Sequence, residues 1–118
     1  MPLIQVDLSR ERFERSHEVI GAAIHSAQIE VLDIPPADRF QVFTPRESNE
    51  LKFDPTYNDV DRKDLLLIRI TAVHMYSVAL KKSLFANIVL KLSLLGIRPD
   101  DILICLTENG FEDWWAGR

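Results

Sequence analysis

Apolar positions in this chain change their spacing along its length, and the changes mark out elements. Leu3, Ile4, Val6 and Leu8 form a short β-type run at the start. Phe13, His17, Ile20, Ile24, Ala27 and Val31 then recur every three or four residues, the stripe of a helix running from Arg10 to about Leu32. Ser9 is a plausible N-cap, but the third helical position is Arg12 rather than Glu, so a capping box is incomplete. Ile34-Pro35-Pro36-Ala37 ends the helix, because proline cannot continue it and restricts the residue before it. A second strand is expected over Phe40 to Phe43.

The plan then repeats. Leu65 to Ile70 is a β-type run interrupted by Arg69, and Ser77 to Leu95 is apolar-rich and helical, with Gly96 suited to close it. A last strand is expected over Ile102 to Leu106. Ile34, Pro36 and Asp38 match Ile97, Pro99 and Asp101 at one constant offset, and the first strands of the two halves match at nearly that offset. The expected fold is α+β: one domain over 1–118, a pseudo-repeat of 2–46 and 65–110, and two βαβ units in a four-stranded sheet with both helices on one face. The polar link from Thr44 to Asp64 is long enough to carry function or an interface. The strands are apolar at nearly every position rather than alternating, which points to burial of the second sheet face by other subunits.

Composition narrows the function classes. The 118 residues carry 14 Lys plus Arg against 18 Asp plus Glu, a net charge of −4, so the basic footprint of a nucleic-acid or anionic-membrane binder is missing. No run approaches the roughly 20 apolar residues that span a bilayer, and the start has no signal-peptide pattern, so a cytoplasmic location is expected. The single cysteine, Cys105, excludes an internal disulfide, and its apolar neighbours predict a small buried residue. His17 and His25 stand eight residues apart without metal-ligand company and read as structural. Neither a metal nor a cofactor is expected, since no phosphate loop or metal motif is present.

Three stretches together resemble the tautomerase superfamily, whose members use an N-terminal proline: Met1-Pro2-Leu3-Ile4 leading into a strand, Pro36-Ala37-Asp38-Arg39-Phe40-Gln41 after the first helix, and Ile97-Arg98-Pro99-Asp100-Asp101 after the second. Glu108-Asn109-Gly110-Phe111-Glu112-Asp113-Trp114 is similar to the E-N-x-x-x-D-W signature of the malonate semialdehyde decarboxylase-like branch. The resemblance covers nearly the whole chain and implies a tautomerase-type β-α-β fold assembled as a homotrimer.

It also implies a chemistry. Removal of Met1 leaves Pro2 as a secondary amine. An α-amino group titrates near about 7.7–8.0, and an apolar, cationic pocket lowers that further. Such an amine takes a proton as general base and returns it as general acid. Asp38 matches the acidic residue that orients water or the substrate carbonyl in this branch, while serving equally as a turn-closing residue like Asp101. The branch's carboxylate-binding arginines follow its third strand, where this chain has His74 and Tyr76. Neither reproduces a bidentate guanidinium, although His74 can carry charge and Tyr76 can donate to an oxyanion. Arg69 and Arg39 are the candidates to supply the missing cation, and Trp114 matches the branch's hydrophobic wall.

The expected activity is a cofactor-free tautomerase-type reaction on a small enol or keto acid, with lyase chemistry of the decarboxylase or hydratase kind as a variant. Two other readings fit the same residues. One is an inactive relative that binds a small molecule or another protein on the same scaffold. The other is an unrelated ferredoxin-like regulatory domain whose proline is incidental.

Overall fold

A computed structural model of the chain describes residues 2–118. Strand β1 (Leu3–Ser9) runs directly into helix α1 (Arg10–Leu32), and β2 (Phe40–Arg46) follows. Strand β3 (Leu66–Val73), helix α2 (Val78–Leu94) and β4 (Ile102–Asn109) repeat that order. The sheet order is β2-β1-β3-β4. The outer pairs are parallel, as a helical crossover requires, and the central β1/β3 pair is antiparallel. One end of the sheet therefore collects the starts of β1 and β2 and the finishes of β3 and β4.

Local signals set the helix ends. Ser9 Oγ accepts from the Arg12 amide at 3.2 Å, and Ser77 Oγ accepts from the Leu80 amide at 3.1 Å. Each such cap is worth about 1 kcal/mol. Helix α1 stops before the prolines: Asp33 turns left-handed at φ 55°, and its amide bonds Ile29 O at 3.1 Å. Gly96, at φ 87°, ends α2 in the conformation that suits glycine.

Alternation along each strand divides the sheet into two faces. Ile4, Val6 and Leu8 of β1 and Leu66, Ile68 and Ile70 of β3 are fully buried beneath the helices. They meet Ile20 and Ile24 of α1 and Leu84, Ile88 and Leu92 of α2. Each such aliphatic side chain contributes about 1.5–3 kcal/mol by leaving water. The opposite face has no helix over it. There Phe40, Val42 and Leu103 are 40–48% exposed, and Asp7 holds Arg46 Nε at 3.0 Å and Arg69 Nη2 at 2.9 Å.

Two sequence expectations need correction. Strands β2, β3 and β4 each run three residues past their expected ends, because pairing with a neighbouring strand continues beyond the apolar run or through a polar residue. Pro45 is tolerated because β2 is an edge strand. Cys105 is exposed, since alternation turns Ile104 and Leu106 toward the helices and Cys105 onto the open face.

Candidate active site

Pro2 opens β1 at the sheet end just described, and its ring is fully buried. Leu3 pairs with Phe40 on one side and Thr71 on the other. Continuing both registers by one residue sets Pro2 between Arg39 and Ala72. Asp38 lies immediately before, in the turn that leads into β2, where its amide donates to Pro35 O at 2.9 Å. Tyr76 sits between β3 and α2 at the same end. Its phenol is pushed above the ordinary value, first by burial and then by the negative charge of Asp38. The two side chains are therefore electrostatic neighbours, and Tyr76 stays protonated and able to donate.

A second set of groups borders this one. The His74 amide donates to Asn109 O at 2.8 Å, tying the exit of β3 to the end of β4. His74 Nδ1 donates to Glu108 Oε2 at 2.6 Å, and Lys81 of α2 bonds the other carboxylate oxygen. The Lys81 hydrogen bond first, then the His74 imidazole, hold the Glu108 carboxyl below the usual carboxylate range. Trp114 Nε1 donates to Asn109 Oδ1 at 2.8 Å, which fixes the indole at this end of the sheet.

The two arginines singled out from sequence go elsewhere within one chain. Arg39 stands in register with Pro2, but its Nε donates to Gln41 Oε1 at 3.2 Å, along β2 toward α1. Gly21 permits that approach; a Cβ there would come within 2.7 Å of Gln41 Oε1. Arg69 lies on the open face and reaches Asp7. The structure thus gathers Pro2, Asp38, His74, Tyr76 and Trp114 at one end and leaves Arg69 outside that group.

The opposite end of the sheet holds a charge network that the sequence did not announce. Asp101 Oδ1 accepts from the amides of Lys63 and Asp64 at 2.7 and 3.1 Å. Arg12, 8% exposed in its side chain, bonds Asp64 Oδ2 at 2.9 Å and lies 3.7 Å from Asp101 Oδ2. The one available signal was Arg12 itself, standing where a capping box wants Glu. His25 Nε2 donates to Pro36 O at 2.7 Å, and His17 stacks on Phe13 with ring centres 4.2 Å apart. Both histidines brace α1. Among the described residues no group of three or more His, Cys, Asp or Glu is placed to hold a metal ion. No helix among them is long and apolar enough to cross a membrane.

Comparison with known proteins supplies the family. A family model described as "Tautomerase enzyme" matches residues 38–117. The chain is 35% identical to the probable tautomerase YusQ of Bacillus subtilis (strain 168), across 99% of this chain and 94% of that protein. The crystal structure of FG41 malonate semialdehyde decarboxylase inhibited by 3-bromopropiolate superposes with a TM-score of 0.91 at 30% identity, covering 98% of this chain and 89% of the other. A second malonate semialdehyde decarboxylase gives 0.90 at 25% identity, covering 98% and 91%. With the two-fold βαβ plan and a proline opening the first strand, these likenesses have one meaning: the chain belongs to the tautomerase superfamily, in its malonate semialdehyde decarboxylase-like branch, and is an enzyme of the tautomerase type.

Proposed function

We propose that this enzyme interconverts the enol and keto forms of a small acid, without a cofactor, using the amine of Pro2 after loss of Met1. The observation that carries the reading is the position of Pro2. Its ring is buried at the head of β1, at the sheet end where Asp38 and Tyr76 act on each other electrostatically. A buried ring disfavours the charged amine and so keeps a neutral base near neutral pH. Pro2 takes the proton from the enol hydroxyl or from the carbon beside the carbonyl, and returns it at the other position. Tyr76, kept protonated, donates to the oxygen that gains charge. Asp38 orients the substrate carbonyl or a water, and Trp114 walls the site.

His74 contributes to recognition of the substrate carboxylate. Arg39, next to Pro2 in register, is the nearer of the two arginines. Arg69 is available to a neighbouring subunit across the open face. That face, with Phe40, Val42 and Leu103 uncovered, supports a homotrimer in which subunits close it. The related decarboxylase is inhibited by 3-bromopropiolate, an electrophilic acid that suits an activated amine.

Intact mass of the purified protein and ketonisation of phenylenolpyruvate test the reading together. The expected result is loss of one methionine, turnover above buffer, and loss of that turnover in Pro2→Ala. Retained Met1, which leaves Pro2 a tertiary amide without basicity, refutes it. So does a Pro2→Ala enzyme as active as the parent.

A further inference from the structure

Beyond the residues already given a role, Glu108 joins three elements at one point. His74 follows β3, Lys81 lies on α2, and Glu108 sits in β4, with one carboxylate oxygen on each partner. In the β3/β4 register Glu108 lies opposite Ala72, and Ala72 falls next to Pro2. Pro2, Ala72 and Glu108 form a row on the helix-facing side, with only a methyl group in the middle. Strands are about 4.8 Å apart, so Glu108 and Pro2 are about 10 Å apart along that row. A near-attack contact of about 3 Å at the amine and a hydrogen bond of about 3 Å at the far end leave the length of a short acid between them.

The donors left over fit that far end. Lys81 has three N–H groups and spends one on Glu108. His74 spends Nδ1 on Glu108 and leaves Nε2 in its exposed ring. An arginine presents two parallel donors on a rigid plane, whereas lysine and histidine separately have the freedom to miss the same target. A shared anchor removes that freedom. With the imidazole protonated, the three groups carry a net charge of +1, so the anchor does not repel an acid.

We infer that Glu108 is a positioning residue: it holds Lys81 and His74 as the paired donors that take the substrate carboxylate, without touching the substrate itself. This rests on Pro2 as the reacting group, which fixes where the other end of the acid lies. It also adds Lys81, which no sequence feature singled out, to the groups that determine specificity.

Glu108→Gln keeps the shape and removes the charge. With phenylenolpyruvate, KM rises about tenfold while kcat stays within about twofold, because the lost contact serves ground and transition states alike. Lys81→Met gives the same split. The double variant is no worse than Lys81→Met alone, since both act through one contact. Binding of two non-reacting probes, 3-phenylpropanoate and its neutral amide, followed by NMR of the enzyme, reads the inference apart from turnover. The parent prefers the acid, and both variants lose that preference while binding the amide equally well. This readout stands if phenylenolpyruvate is not turned over, an outcome that sinks the proposed reaction alone. If Glu108→Gln fails to fold, Lys81→Met carries the same comparison. A fall in kcat at constant KM, or an unchanged preference for the acid over the amide, overturns the inference.

Discussion

Replacing Asp101 by alanine strips three kinds of contact from a side chain that is only 3% exposed. The amides of Lys63 and Asp64 lose their acceptor, Arg98 loses a partner at 3.5 Å, and Arg12 loses one of its two counter-charges. Orphaning a buried hydrogen-bonding group costs about 1–3 kcal/mol, and breaking a buried ion pair from one side costs about 3–5 kcal/mol. Asp64 still compensates Arg12, and Asp64 is itself more than a third exposed. The lower end is therefore the reasonable figure, a loss of about 3 kcal/mol. In a domain of this size that corresponds to a fall of about 12 °C in Tm. Asp38 occupies the matching place in the first half, where its charge acts on Tyr76. On the proposed mechanism, Asp38→Ala should lower turnover. Thermal unfolding of Asp101→Ala and the parent at one fixed protein concentration measures the loss, because oligomer stability depends on concentration. The reasoning fails if Asp101→Ala melts within about 2 °C of the parent.

Two further outcomes follow from the geometry. Tyr76→Phe should lower kcat about 100-fold, the scale of losing one oxyanion donor. Its effect on pH dependence has a definite sign. Burial and Asp38 raise the phenol above its ordinary 10.0, so its contribution to stability is complete below that value and fades as pH rises through the folded-state value. Absorbance at 295 nm and unfolding midpoints from pH 9 to 11 test this: the substitution should remove a late-titrating phenol and flatten the alkaline decline. A late phase that survives in Tyr76→Phe refutes the assignment. Val42→Glu, which puts a charge on the uncovered sheet face, should convert a trimer to monomers in light scattering. Leu90→Glu, 59% exposed on α2, should leave the mass unchanged. A parent already monomeric, or a Val42→Glu trimer, counts against closure of that face by other subunits.

The parts of the fold readable from sequence are those set by neighbours in sequence. Helix α1 runs from Arg10 to Leu32 as its stripe and its Ser9 cap indicate. The strand ends were misread because they depend on pairing: Thr107 and Glu108 look like loop residues until β3 lies alongside. Cys105 was misread because a continuous apolar run does not reveal which residues alternate onto an uncovered face. The same distinction applies at the site. Pro2, Asp38 and Trp114 stand in stretches that resemble a family, and His74 and Tyr76 where its branch has arginines, so as candidates they were visible one by one. Lys81 was not, since its bond to Glu108 links residues 27 apart across a helix and a strand.

The internal repeat then explains why the two ends of the sheet differ in chemistry. Both halves place an aspartate after a proline turn, just ahead of a strand. In the second half the chain runs on through Lys63 and Asp64 into β3, and Asp101 is consumed by their amides and by Arg12. In the first half Asp38 leads into β2, whose parallel neighbour is β1, with Pro2 at its head. The carboxylate closes a link at one end, while at the other its charge adds to burial in raising the Tyr76 phenol. On the proposed mechanism, one architectural position then serves stability in one half and substrate orientation in the other, so Asp101→Ala is read by melting and Asp38→Ala by turnover.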